Sequence, residues 1–187
     1  MTEYVVVDAF PVEPYAQKVL LVHKNRPDYL KGIYNGVGGK IEPGETPVEA
    51  AVRELKEEAG LDELQEYDPM VYCPPEHCGM ILGTKSYIHC VKVPVSIRQA
   101  LNPRKEETEP VAWFDFCSAL NHPKLMPNLR VVLPLMRSGA RGWELVVGHS
   151  DWHGENHKVE VVFPGTDQTL PITVIVKGLA YYEDREL

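Results

Sequence analysis

Residues 38–61, GGKIEPGETPVEAAVRELKEEAGL, hold a glycine-rich loop followed by a helix with both ends marked. Thr46 is a strong N-cap, and Glu49 three residues on completes a capping-box pattern. Pro47 takes the first helical position, where its missing N–H costs nothing. Gly60 stands where a left-handed turn ends a helix. The spacing predicts a helix over 46–59. Val48, Ala51, Val52, Leu55 and Ala59 form its apolar stripe, which packs it onto a sheet.

A second face of this helix, about 120° round from the stripe, carries the chemistry. Glu54, Glu57 and Glu58 fall at i, i+3 and i+4, which puts all three on one side. Like charges so placed repel by a few tenths of a kcal/mol per pair. A divalent cation would neutralise them, and a donor set of carboxylate oxygens selects the hard ions, Mg²⁺ with Mn²⁺ as substitute. The plainer reading is a solvated acidic face. Gly36, Gly38, Gly39 and Gly44 shift the balance, because glycines let a backbone carbonyl approach an ion closely. Arg53 has Glu49 and Glu57 at i−4 and i+4, and Glu45 ahead of the helix. It is expected to pin loop to helix by charge-assisted hydrogen bonds.

Working outward, 4–7, 18–23, 86–95 and 111–116 read as strands, and 143–147, 158–163 and 170–176 as three more near the C-terminus. Residues 129–136 read as a short helix weakened by Pro134. Strands around one or two helices, without strict alternation, give an α+β class with a mixed sheet. A length of 187 residues suits one domain over 1–187, with 151–187 as a C-terminal β extension. DWHGENH, 151–157, reads as a polar hairpin turn rather than a metal site. Cys73, His77, Cys78, His89 and Cys90 invite a zinc reading, but no C-x2-C pair is present, so reduced core or loop thiols are expected.

The formal net charge of −8 disfavours a stable nucleic-acid partner but leaves a small nucleotide open. No run approaches the roughly 18 apolar residues of a membrane span, and the N-terminus is acidic where a secretory signal is basic. A cytoplasmic, membrane-free chain is expected, as monomer or homodimer.

The run Gly39, five residues, Glu45, seven residues, Arg53-Glu54-Leu55-Lys56-Glu57-Glu58-Ala59-Gly60-Leu61 resembles the signature of the Nudix family at every defined position. The resemblance covers roughly residues 3–150 and implies an α/β/α sandwich with a central mixed sheet, to which the strands of 151–187 are extra. It also implies hydrolysis of a nucleoside diphosphate linked to another group. By the same resemblance, Glu54, Glu57, Glu58 and the Gly38 carbonyl bind catalytic Mg²⁺, Arg53 belongs to the catalytic set, and Gly39, Glu45 and Gly60 support it. Glu54 is a candidate base, with Glu106, Glu107 and Glu109 as alternatives. Lys24 and Lys40 are candidate phosphate contacts, whereas Arg26 reads as solvated.

The run from Asn35 to Lys40 is similar to the MutT-like nucleoside triphosphate pyrophosphohydrolases, in which the corresponding asparagine touches the base. KLMPNLRVVLPLM, 124–136, resembles a second stretch of that subgroup. There its tryptophan falls on Met126 and its base-reading aspartate pair on Asn128 and Leu129, so recognition of an 8-oxopurine does not carry over. Asn128 can still read a base, because an amide offers both donor and acceptor. Tyr34, Met126 and Trp113 either flank that base or belong to the core. The resulting expectation is cleavage of nucleoside triphosphates, oxidised or non-standard ones included, to monophosphate and pyrophosphate. Two alternatives stay open: another substrate of the family (nucleotide sugar, dinucleotide, cofactor or RNA cap), and a domain that senses a nucleotide without cleaving it.

Overall fold

A computed structural model of the chain describes residues 1–11, 16–61, 74–82, 86–97, 101–102, 109–146, 156–162 and 169–175. The strands are β1 (Thr2–Pro11), β2 (Lys18–His23), β3 (Tyr34–Gly36), β4 (Glu76–Leu82), β5 (Ser86–Val95), β6 (Val111–Asp115), β7 (Trp143–Val146), β8 (Asn156–Val162) and β9 (Thr169–Ile175). The helices are α1 (Pro47–Ala59), α2 (Phe116–Leu120) and α3 (Leu129–Arg137). A six-stranded sheet runs β1-β5-β4-β7-β8-β9, and a three-stranded one runs β3-β2-β6. The larger sheet is mixed: β1 pairs parallel with β5, and β7 parallel with β4, while the other pairs are antiparallel.

Alternation along the strands makes two cores. Val5, Val7 and Ala9 of β1, with Val91, Val93 and Val95 of β5, pack against Ala51, Leu55 and Ala59 of α1. Val6, Cys78, Ile81 and Cys90 pack against Leu129, Val132, Leu133 and Met136 of α3. The sheet therefore lies between α1 and α3, the α/β/α arrangement expected from the sequence.

Several elements depart from the sequence reading. β1 is longer at both ends, because its parallel register with β5 continues from Thr2 to Pro11. Phe116 starts α2 rather than ending β6, since the Asp115 carboxylate accepts the Ser118 N–H at 2.8 Å and caps a helix there. Pro134 does not weaken α3, which runs through it and buries Leu129, Val131, Val132, Leu133 and Met136. An interior proline costs about 3 kcal/mol, and burying one such side chain returns about 1.5–3 kcal/mol. Of the hairpin 151–157, residues 151–155 lie outside the described residues, and Asn156 and His157 already pair with Ile175 and Val174 in β8–β9.

Cys73 lies outside the described residues. Cys78 and Cys90 are buried in the α3-side core, whereas His77 and His89 meet each other with nitrogens 3.1 Å apart. Neighbouring residues on a strand face opposite ways, so these thiols and imidazoles do not converge on a zinc ion. No helix among the described residues is long and apolar enough to cross a membrane.

Candidate active site

The capping box at the start of α1 is formed. Thr46 Oγ1 accepts the Glu49 N–H at 3.3 Å, and the Glu49 carboxylate accepts the Thr46 N–H at 2.8 Å. Glu49 is thereby committed to the cap and is not a partner of Arg53, contrary to the i−4 expectation. Arg53 instead grips Glu45 with Nε and Nη2 at 2.7 and 3.1 Å, and the Lys40 carbonyl at 3.0 Å. Its Nη1 donates to Glu54 at 2.8 Å and to Glu57 at 3.3 Å. One guanidinium thus ties the loop to the helix and holds two of the three acids.

The loop lies against β1 through Val5 N–H to the Gly39 carbonyl and Val7 N–H to the Val37 carbonyl, each 2.8 Å. Gly38 has φ +153°, and a Cβ there would sit 2.1 Å from the Val5 carbonyl oxygen. A Cβ on Gly39 would sit 2.3 Å from Glu54 Oε1. Gly38 thus lets the loop lie against β1, and Gly39 lets it lie against the Glu54 carboxylate.

A cavity of about 480 Å³ opens here, with Gly38, Gly39, Glu54 and Glu58 among its walls on the loop–helix side. Lys24, Arg26 and Glu109 contribute to the remainder. Glu54 and Glu58 are each only 8% exposed. Glu58 accepts the Gly38 N–H at 3.1 Å and faces Lys24 Nζ at 3.4 Å. Burial nevertheless pushes its carboxyl up to about 7, outweighing Lys24 and the Gly38 amide. Burial also raises Glu54 above the usual carboxylate range, against the pull of Arg53. Glu57 is held by Arg53 and is not part of the cavity wall.

The other predicted residues are distributed unevenly. Lys24 lines the cavity, but its ammonium bridges Glu109 at 2.7 Å and Glu58 at 3.4 Å. Arg26 is exposed, in keeping with the solvated reading, and the residue also contributes to the wall; no partner of its guanidinium is seen among the described residues. Lys40 is exposed and outside the wall, contributing its carbonyl to Arg53. Asn35 pairs with Val22 in the smaller sheet, outside this wall. Asn128 precedes α3, and its Oδ1 is buried without a partner among the described residues. Tyr34 packs on His23, Phe114 and His122 and shares the α3-side core with Met126, whereas Trp113 packs against the α1-side core.

Glu109 is the residue whose role local sequence did not reveal. Its carboxylate accepts from Lys24 Nζ and from the backbone N–H groups of Asn25 and Arg26, at 2.7, 2.6 and 3.1 Å. Burial works to raise its carboxyl, but these donors win and leave it below the ordinary value. An ionised carboxylate already saturated with donors is a poor proton acceptor. Glu106 and Glu107 lie outside the described residues.

The donor chemistry fits a hard cation. Burial raises both carboxyls against the pull of Arg53 and Lys24, and every candidate ligand atom is oxygen. Among the described residues, no three acidic, imidazole or thiol side chains close around an ion by themselves.

The family model for the NUDIX domain matches residues 3–136, most of the chain. The chain belongs to the Nudix family. Solved structures agree on the fold. A NUDIX-family hydrolase from Clostridium perfringens is 24% identical, with 74% of this chain and 94% of that one covered at a TM-score of 0.52. The mutator MutT protein from Bacillus halodurans is 17% identical over 79% and 89% of the chains, with a TM-score of 0.55. The NUDIX domain of Shewanella oneidensis NrtR, complexed with ADP ribose, is 19% identical over 73% and 86%, with a TM-score of 0.56. Nudix hydrolases generally use divalent metal ions.

Proposed function

We propose that this Nudix protein hydrolyses nucleoside triphosphates to a nucleoside monophosphate and pyrophosphate with Mg²⁺, for which Mn²⁺ substitutes. The observation that carries the reading is the buried pair Glu54 and Glu58 against the Gly38–Gly39 backbone. Glu54, Glu58 and the Gly38 carbonyl would hold the ion, with Glu57 kept on Arg53 outside the cavity wall. An ion held there would supply charge to neutralise phosphate oxygens and to make a water more acidic. Glu54 takes the proton of the attacking water through an oxygen not committed to the ion, whereas the Glu109 carboxylate is already saturated with donors. Arg53 keeps Glu54 and the loop in register. Arg26 supplies positive charge toward the phosphates.

Asn35 and Asn128 are the proposed base contacts. The buried Asn128 Oδ1, without a partner among the described residues, favours a ligand that brings a donor to it. Similarity to a domain complexed with ADP ribose supports a second reading, cleavage of a nucleoside diphosphate linked to a sugar. The discriminating experiment is a product assay over triphosphates, ADP-ribose and dinucleotides with Mg²⁺. Triphosphates are expected to turn over fastest, with pyrophosphate released. Glu58→Gln is expected to lower turnover by about 10²-fold or more. Faster cleavage of ADP-ribose selects the second reading, and unchanged turnover in both Glu54→Gln and Glu58→Gln removes the mechanism.

A further inference from the structure

Glu109 lies 85 residues from Lys24 in the chain, yet its side chain is only 4% exposed and meets three donors on residues 24, 25 and 26. One carboxylate oxygen serves Lys24 and the other serves two consecutive main-chain amides. Such an acceptor dictates where a turn of chain lies, because each hydrogen bond to a charged group is worth about 1.5–3 kcal/mol and three consecutive residues donate to this one. The turn it fixes carries two cavity-lining cations of different standing. Lys24 is committed to carboxylates, whereas the Arg26 guanidinium has no partner among the described residues. We propose that Glu109 is a positioning residue, clamping residues 24–26 so that Lys24 stays on Glu58 and the Arg26 guanidinium stands in the cavity wall as counter-charge to the substrate's phosphates. This rests on the hydrolase reading above, and it assigns Glu109 neither the proton nor the ion.

The test compares the full-length wild type with Glu109→Gln and Glu109→Ala by four measurements. These are amide exchange at Asn25 and Arg26, Mn²⁺ affinity, melting temperature, and kcat and KM for the best triphosphate across pH. In Glu109→Ala, exchange at both amides and KM are each expected to rise about tenfold or more, on the scale of lost supporting contacts. The expected change in kcat is smaller, with the acidic limb of the pH profile and Mn²⁺ affinity kept. Glu109→Gln retains an acceptor for the two amides and is expected to fall between Ala and wild type in exchange and KM, also if Glu109→Ala melts too low for assay. Loss of the acidic limb with a collapse of kcat makes Glu109 a base, and weakened Mn²⁺ binding makes it a ligand. Either result overturns the proposal, as does unchanged exchange at Asn25 and Arg26. If the wild type cleaves no phosphoanhydride, the hydrolase reading fails, while the exchange measurement still judges the clamp.

Discussion

Glu58 sets a definite relation between pH, stability and metal. Its carboxyl is raised from 4.5 to about 7, so its neutral form is the one the native site prefers. The associated stability is fully present below the unfolded value and is lost as pH rises through the folded one. A shift of that size is worth about 3 kcal/mol at most. Metal-free protein is therefore expected to melt at a higher temperature at pH 5 than at pH 8. Glu58→Gln is expected to remove most of that difference and to be the more stable form at pH 8. Mg²⁺ added at pH 8 raises the melting temperature of the wild type by binding the native state, but not that of the variant. Melting curves in chelator and in Mg²⁺ at the two pH values check this. A wild type with the opposite pH slope, and a variant that keeps it, would show that Glu58 is not the buried carboxyl with a raised value described.

The loop and α1 work as one element, joined by Arg53, and their glycines separate function from strain. A methyl on Gly39 meets the mobile end of Glu54, whereas Gly44, at φ +92°, has nothing within 4 Å of its would-be Cβ. Gly39→Ala is expected to displace the Glu54 carboxylate and weaken Mn²⁺ binding with little loss of stability. Gly44→Ala is expected to cost about 1 kcal/mol through backbone strain with metal binding intact. Parallel calorimetric titrations and melts read both, and the reverse pattern contradicts the placement of Glu54. Much of this element was legible beforehand, since caps, stripe and acids all lie within local sequence. β2 and β5 were legible as apolar runs. β3 was not, because three residues inside a glycine-rich stretch carry no periodicity. β4 was hidden by its register shift between His77 and Gly79, and Gly79 reads as a breaker although it makes room for Trp143, 2.3 Å from its would-be Cβ. Glu109 was visible only as one acid among several, because a clamp formed 85 residues away leaves no local pattern.

At the scale of the molecule, α3 is fastened to the sheet by one buried ion pair. Asp8 of β1 is wholly buried and accepts Arg137 Nη2 at 2.7 Å, while the same nitrogen donates to the Lys18 carbonyl at 2.8 Å. The guanidinium also stands 5.4 Å from the ring centre of Phe10 and 4.8 Å from that of Phe116. Removing one partner leaves an uncompensated buried charge, so Arg137→Ala is expected to cost about 3–5 kcal/mol. Asp8→Leu combined with Arg137→Met is expected to recover much of it. Denaturant unfolding of the single and double variants measures this, and a loss under about 1 kcal/mol for Arg137→Ala would make the pair incidental.

The account turns on Glu54 and Glu58 as the seat of a hard divalent cation. Titration of Mn²⁺ into metal-free protein, followed by calorimetry or paramagnetic resonance, tests that directly with Glu49→Gln as the control, since Glu49 serves only the helix cap. The predicted result is binding weakened about tenfold or more in Glu54→Gln and Glu58→Gln, the scale of a disrupted metal site, and unchanged in Glu49→Gln. Equal Mn²⁺ affinity in all four proteins would contradict it.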